Sequence, residues 1–183
     1  MRSAKRPFFL TVLSAIQNPA HTKREKRNIA IDIATESDVD AIVELNHALF
    51  QEDAGTRDQT MNVDWAVANG RSYFTDFLAK NGRRIWLAKQ NEQPVGYLAG
   101  YVSPPNDLRL VKMAELESMY IVPACRGQGV GSALARTFME WAQANGAESI
   151  KVTAYAANQR AIQFYQQLGF TAYNITLRAS IIG

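Results

Sequence analysis

A glycine-rich turn that joins an apolar strand pattern to an amphipathic helix pattern is the feature that most constrains this chain. The run Met119–Ser132 carries three glycines in five residues, shortly after Arg126. Apolar residues then recur at helical spacing, at Val130, Leu134, Phe138 and Trp141. A strand that ends in such a turn presents free backbone N–H groups at the positive end of the next helix dipole. The sequence therefore predicts an anion site, typical of a phosphorylated cofactor.

The spacing of the glycines narrows the choice of cofactor. Gly127, Gly129 and Gly131 do not follow the Gly-x-Gly-x-x-Gly pattern of dinucleotide sites, and no lysine follows them as in triphosphate loops. The run does match Arg-x-x-Gly-x-Gly, with Arg126 in the first position. It resembles the pyrophosphate-binding motif of the GNAT superfamily of N-acetyltransferases, which binds acetyl-coenzyme A (acetyl-CoA).

A second block, Asn158–Phe170, resembles the other signature of that superfamily, Asn-x-x-Ala-x-x-Phe-Tyr-x-x-x-Gly-Phe. Its fixed positions are all matched, by Asn158, Ala161, Phe164, Tyr165, Gly169 and Phe170. A predicted strand, Ile150–Ala154, separates the two motifs. The resemblance extends from about Ile29 to Leu177, and its specific motifs lie in the second half.

The order of predicted strands and helices indicates one α/β domain. Strands are expected at 29–33, 85–90, 95–102, 114–122, 150–154 and 170–177, and helices near Thr35, Tyr73, Val130 and Asn158. The resemblance implies a GNAT-like, mixed, mostly antiparallel central sheet flanked by helices, with splayed parallel strands that hold acetyl-CoA. We expect residues 29–183 to form this domain.

Residues 1–28 differ from the rest in charge. They hold seven basic residues and one acid, a net charge of +6 within a whole-chain net charge of +3, so the remainder is at −3. A nucleic-acid-binding face on the domain is therefore not expected. We expect 1–28 to be a disordered or mis-started extension. A secretory signal without a convincing cleavage site and an organellar transit segment are the alternatives.

The remaining composition excludes several classes of protein. No apolar run reaches the roughly 18 residues that a membrane helix needs, so no membrane partner is expected. Cys125 is the only cysteine, which suits a reducing, cytoplasmic location. His21 and His47 offer no cluster of metal ligands, so no metal is expected. A homodimer is left open.

The resemblance also implies which residues meet acetyl-CoA, the co-substrate. The turn that cradles the pyrophosphate corresponds to Arg126, Gly127, Gln128, Gly129, Val130, Gly131 and Ser132. The pantetheine arm would lie along the backbone of Met119, Tyr120 and Ile121, whose N–H groups can polarise the thioester carbonyl. Asn158 matches the asparagine that meets coenzyme A, although asparagine is equally favoured as a helix N-cap.

Candidate catalytic groups lie on the strand before the turn and on the last helix. Strict alternation would place Glu115, Glu117, Met119 and Ile121 on one face of that strand. Either glutamate could take the amine proton through water, with Glu117 slightly favoured, or the two could form an exposed or salt-bridged pair. Tyr165 matches the general acid of the family, and a core tyrosine is the alternative.

The resulting hypothesis is transfer of an acetyl group from acetyl-CoA to a primary amine, by direct attack in a ternary complex. The polar, acidic stretch 51–64 favours a small cationic acceptor such as an aminoglycoside, a polyamine or an amino-acid amine. A merely solvated acidic loop is the other interpretation. Acetylation of protein N-termini or lysines, and a non-catalytic acyl-CoA-binding sensor, are the alternative functions.

Overall fold

The computed structural model describes residues 29–181, and our expectations for residues 1–28 fall outside that range. Within it the strands are β1 (Ile29–Ile33), β2 (Arg83–Gln90), β3 (Gln93–Ser103), β4 (Met113–Ile121) and β5 (Ser149–Val152). The helices are α1 (Val39–Leu49), the single turn α2 (Gly55–Arg57), α3 (Trp65–Ala79), α4 (Val130–Ala144) and α5 (Gln159–Gln167). A π-helical turn, Phe50–Ala54, connects α1 to α2.

The five strands form one sheet in the order β1-β2-β3-β4-β5. Each neighbouring pair is antiparallel except β4 and β5, which are parallel. The β2–β3 hairpin turns at Asn91 and Glu92, which both have positive φ, the backbone that suits the twist of paired strands. The predicted mixed, mostly antiparallel sheet is confirmed.

Two hydrophobic cores cover the two faces of this sheet. Alternate residues of β2 enter opposite cores, so that Leu87 packs under α1 and α3 while Trp86 packs under α4. Tyr97 and Leu98 divide in the same way along β3. A central strand buried on both faces requires such a helical layer on each side. Helices therefore hold the sheet from both faces. The edge near β5 is where a functional site can form.

An extra residue interrupts β4. Ser118 pairs with Ala99 and Leu116 pairs with Gly100, so Glu117 has no residue opposite it. Such a β-bulge bends the strand and shifts the alternation of its side chains.

Because of the bulge, the expectation that Glu115, Glu117, Met119 and Ile121 share one face of β4 is wrong. Glu117 contacts Tyr73 of α3, whereas Met119 and Ile121 pack with Leu116 in the core under α4. Strict alternation would have placed the glutamate and the two apolar residues on one face. The extra residue reverses the alternation of the side chains that follow it. The carboxylate therefore lies on one side of the sheet and the apolar side chains lie on the other.

Strands β4 and β5 separate shortly after they pair. Their pairing covers Met113–Leu116 against Ser149–Val152, and β4 then continues to Ile121. Within residues 29–181 no strand pairs with this later part of β4 on the β5 side. The predicted splay is present, and its gap lies beside the glycine turn.

The predicted strand at 170–177 is wrong. Residues 170–181 contain no strand, and Tyr173, Ile175 and Leu177 are 84%, 85% and 90% exposed. Alternating apolar residues show which side chains could pack on a sheet, but a strand also needs an edge with which to pair. Here the segment is tied instead to the α2–α3 connection, because Arg178 binds Asp58 at 3.0 Å.

Two helix starts also differ from expectation. Thr35 donates its backbone N–H to Asp38 Oδ2 at 2.9 Å, as expected of a capping pair, but it opens a short 3-10 turn, and α1 begins at Val39. Helix α3 begins at Trp65, eight residues before the predicted Tyr73.

Gly100 should be essential for packing opposite the bulge. A Cβ at this position would lie 2.4 Å from Phe138 Cε2 and 3.0 Å from the Glu115 carbonyl oxygen. We expect Gly100→Ala to lower the free energy of unfolding by about 1–3 kcal/mol, measured by urea denaturation. In the double variant Gly100→Ala/Phe138→Leu the smaller side chain should relieve part of the clash. An unchanged midpoint for Gly100→Ala would contradict this packing.

Candidate active site

The glycine turn forms an open cradle at the start of α4. Gly127 and Gly129 adopt φ values of +71° and +85°, and a Cβ added at either would meet no atom within 4 Å. The first amides of a helix have no acceptor within the helix and carry its positive dipole end. Val130 and Ser132 supply amides in that first turn. The binding of a pyrophosphate at this turn stays a prediction, which the free amides support.

Gly131 has a different role from its neighbours. A Cβ there would lie 3.4 Å from Ile121 Cδ1 and 3.4 Å from the Phe164 ring. Phe164 of α5 therefore packs next to the turn, and the two sequence motifs meet in space. Gln128 braces the same turn, since its Nε2 donates to the Ala124 carbonyl oxygen at 2.8 Å.

The backbone of Met119, Tyr120 and Ile121 borders the gap between β4 and β5. Their side chains serve the two cores, with Tyr120 packing on the α1 and α3 side and the other two packing under α4. The packing role and the expected backbone role are therefore compatible. Contact of these amides with a pantetheine arm stays a prediction.

Arg126 is already engaged within the protein. Its Nη1 and Nη2 donate to the two Glu52 carboxylate oxygens at 2.7 and 2.6 Å, and its Nε donates to the Ile121 carbonyl oxygen at 2.7 Å. The hydrogen bonds from Arg126 hold the pKa of Glu52 below its usual value. Because Glu52 neutralises this guanidinium locally, the backbone amides are left as the main attraction for an anion.

Asn158 acts as a helix cap and also makes a long-range contact. Its Oδ1 accepts from the Ala161 amide at 3.1 Å, and its Nδ2 donates to Asp53 Oδ1 at 2.8 Å. Asp53 and Glu52 are neighbours in the π-helical turn. The acidic turn therefore contacts both motifs of the expected cofactor site, through residues that the sequence did not identify.

Most carboxylates of the acidic stretch 51–64 have partners within the protein. Besides Glu52 and Asp53, which bind the two motifs, Asp58 binds Arg178 and Asp64 lies 3.3 Å from His47 Nε2. Asp53 also receives Arg57 at 2.6 Å. These pairs weaken the case for a polycationic acceptor that rests on this stretch.

Glu117 lies at the bulge and lines a cavity of about 370 Å³. The cavity is bounded by Asn46, Phe50, Met61, Asn62, Trp65, Tyr73, Phe74, Glu117 and Ser118. Tyr73 donates its hydroxyl hydrogen to Glu117 Oε1 at 2.5 Å. Although part of this side chain is exposed, partial burial raises the pKa of Glu117, while the hydrogen bond from Tyr73 and the charge of Arg83 oppose that rise.

Glu115 is held in a different environment. Its Oε2 lies 2.8 Å from Lys151 Nζ and accepts a hydrogen bond from the Tyr101 hydroxyl. It does not line the cavity that Glu117 borders. Of the two alternatives for this residue, the geometry favours the salt-bridged one, and the negative charge of Glu115 contributes to the raised pKa of Glu117.

Tyr165 is largely surrounded by apolar residues. Its ring packs edge-on against Phe164 and Phe170, and within residues 29–181 its hydroxyl has no hydrogen-bond partner. Burial raises the pKa of Tyr165, with smaller contributions from Asp53 and Tyr97. A neutral hydroxyl at physiological pH is therefore available as a donor.

A comparison with known protein families tests the resemblance that the two motifs indicated. The sequence profile of the acetyltransferase (GNAT) family matches residues 39–170, most of the chain. The chain belongs to the acetyltransferase (GNAT) family. In this GNAT chain the matched region includes both motifs, the bulge and the cavity.

Relatives of this GNAT chain are named as N-acetyltransferases. A protein of Methanocaldococcus jannaschii, named as an uncharacterized N-acetyltransferase, is 28% identical over 100 residues, covering 55% of this chain and 44% of that protein. Human N-acetyltransferase 8B is 30% identical over 112 residues, covering 61% of this chain and 49% of that protein. The chain spans about half the length of these relatives.

The fold is also found among solved structures. An aminoglycoside N-acetyltransferase in complex with CoA matches with a TM-score of 0.63 and 14% identity, over 85% of this chain and 96% of that one. At this identity the likeness shows a shared fold alone.

The described residues also bear on membranes and metal ions as partners. Within residues 29–181, no helix has the length and apolar character needed to cross a membrane. The same part of the chain shows no group of three or more His, Cys, Asp or Glu side chains that could hold a metal ion.

Gly129→Asp tests the anion cradle. The new carboxylate would occupy the open side of the turn and repel phosphate, so we expect acetyl-CoA affinity to fall at least a hundredfold in calorimetry. Gly169→Asp is the matched control, because that glycine also has positive φ (+94°) and no atom within 4 Å of a Cβ, but lies after α5. Equal losses in both folded variants would contradict a phosphate site at the turn.

Proposed function

We propose that this GNAT protein transfers an acetyl group from acetyl-CoA to the primary amine of a small molecule that is cationic in solution. The observation that carries the proposal is the position of Glu117. Its carboxylate lies on the bulge of β4, lines a cavity on one side, and adjoins the stretch of β4 that has no partner strand. An amine in that cavity and a thioester along that strand would meet beside this carboxylate.

The first chemical requirement is a neutral amine. A primary alkylamine with a pKa of about 10.4 is neutral in about one molecule per thousand at pH 7.4. Glu117 attracts the protonated form and then accepts its proton, directly or through one water molecule. The raised pKa of Glu117, caused first by burial, makes this carboxylate a better base than an ordinary glutamate.

Acetyl transfer then follows by direct attack in a ternary complex. The amine lone pair attacks the thioester carbonyl carbon, and backbone N–H groups near Met119 stabilise the negative charge on its oxygen. The bond between carbon and sulfur breaks as the amide forms, and the attacking nitrogen loses one proton through water, which replaces the proton that Tyr165 gives up. The thiolate receives a hydrogen bond, and finally a proton, from Tyr165, whose unpartnered hydroxyl is the donor.

The alternatives differ in measurable ways. A non-catalytic acyl-CoA sensor would need the glycine turn but would have no use for the base and the aromatic cavity. Aminoglycoside acetyltransferases share the fold, but the paired carboxylates of 51–64 leave one acid at the cavity to meet an amine. The support here is therefore for a small acceptor bound through one ammonium group.

Glu117→Gln should remove the base while preserving the shape of the site. We expect kcat/KM for amines to fall by about a hundredfold at pH 7, with an unchanged Kd for acetyl-CoA, because general base catalysis commonly contributes at least that factor. Thiol release across an amine panel provides the measurement. Glu115→Gln, the neighbouring comparison, should cause a much smaller loss. Full activity in Glu117→Gln would eliminate it as the base, and wild-type protein that binds acetyl-CoA without any turnover would favour the sensor.

The pH dependence should respond to Tyr73. Its hydrogen bond lowers the pKa of Glu117, so Tyr73→Phe should raise that pKa further. Because the base must be deprotonated, the acid limb of the activity profile should move to higher pH, by about one unit or less. Rates are calculated relative to the concentration of neutral amine. The titration of the acceptor then makes no contribution to the profile, and the acid limb reports the enzyme group. A limb that stays in place, or moves to lower pH, would show that Glu117 is not the titrating group.

A further inference from the structure

The cavity next to Glu117 has walls that are mostly aromatic. Phe50 stacks on Trp65 with ring centroids 6.0 Å apart, and Trp65 meets Tyr73 edge-on at 5.4 Å. Phe74 and Met61 extend the apolar lining. At about 370 Å³ the space holds one small molecule, and rings of this kind favour a flat or alkyl body and a nearby cation.

Asn46 is a buried polar side chain on the wall of this cavity. It is only 4% exposed, and its Nδ2 donates to the Tyr97 hydroxyl at 2.7 Å. Its Oδ1 is buried and has no partner in the described part of the chain. An unsatisfied buried acceptor of this kind costs about 1–3 kcal/mol, and native proteins seldom leave one without a reason.

Ser118 presents a second unpartnered atom to the same cavity. Its Oγ lies near the Tyr97 hydroxyl and influences the pKa of that group, but it makes no hydrogen bond of good geometry. It follows Glu117 directly on the bulged strand. Two buried, unpartnered polar atoms therefore belong to residues in the wall of the aromatic cavity that Glu117 also lines.

The charge of the cavity limits what it can bind. Among the residues that line it, Glu117 is the single acid. Of the nearby carboxylates, Glu52 pairs with Arg126 and Asp58 with Arg178, whereas Asp64 is exposed and lies outside the lining. A second ammonium group placed among these rings would lose its hydration without gaining a counter-charge.

Building on the proposed acetyl transfer, we propose that the acceptor is a primary monoamine with an apolar aryl or alkyl body that carries one further hydrogen-bond donor. Its ammonium group meets Glu117, its body packs against Trp65 and Phe50, and its second donor binds Asn46 Oδ1 or Ser118 Oγ after a small side-chain shift exposes that buried atom to the cavity. Polyamines and aminoglycosides fit this site poorly. The cavity acts as the specificity-determining part of the acceptor site.

The first experiment compares acceptors on the wild-type protein by thiol release. The pairs are tyramine against phenethylamine, and aminohexanol against hexylamine, with spermidine, kanamycin and a lysine-containing peptide as competitors. We expect the hydroxyl-bearing member of at least one pair to have the highest kcat/KM, about tenfold above its partner. Higher kcat/KM for spermidine, kanamycin or the peptide, or no preference for the hydroxyl, would overturn the proposal.

The second experiment uses Asn46→Leu, which removes the acceptor atom at similar volume. The hydroxyl preference should disappear, because kcat/KM for the hydroxyl-bearing partner should fall about tenfold further than kcat/KM for the partner that lacks the hydroxyl. Asn69→Leu, on an exposed position of α3, is the matched control and should keep the preference. Ser118→Ala provides a second variant if Asn46→Leu does not fold, and it should reduce the preference. Equal losses for both members of a pair would mean that Asn46 is merely structural and bonded to water.

Calorimetry separates this inference from the function on which it rests. Amines are titrated into protein saturated with CoA, so that binding is measured without turnover. Tight binding of the hydroxylated monoamine with no acetyl transfer would reject the proposed function and keep the ligand class. Acetyl transfer that prefers polycations would keep the proposed function and reject the ligand class.

Discussion

One extra residue in β4 determines how the two halves of the site meet. Without the bulge at Glu117, the residues that follow would keep the alternation set by Leu116, and Met119 and Ile121 would leave the core under α4. With it, the carboxylate faces α3 and the cavity, while the later backbone remains anchored by apolar packing. Because β5 separates from β4 at the same place, the strand there has free backbone groups next to Glu117, the proposed base.

The cofactor side depends on electrostatic contacts that cross the fold. Glu52 and Asp53, on the π-helical turn after α1, bind Arg126 and Asn158 from the two sequence motifs. These contacts align the motifs on each other and cancel part of their charge. A pyrophosphate at the proposed site would therefore rely on the amides at the start of α4, whose dipole is fixed by the helix and needs no free side chain.

Much of the fold could be predicted because its signals are local. The strand pattern at Ile29–Ile33, the hairpin around Asn91 and the glycine turn each depend on residues adjacent in sequence, and each is found where expected. Expectations failed where a distant partner was needed. The apolar alternation at 170–177 has no free sheet edge to join, and the bulge at Glu117 results from how β3 and β4 pair.

The sequence by itself determined the chemistry that two motifs can supply, because glycine spacing and the position of Tyr165 are local properties of the chain. Only the tertiary structure decided which side chains remain free to act. Arg126 is paired with Glu52, 74 residues away, and Glu117 receives its hydrogen bond from Tyr73, 44 residues away. Burial and pairing across such separations arise from packing the whole domain, so no local pattern could distinguish Glu117 from the salt-bridged Glu115, or reveal the unpartnered oxygen of Asn46.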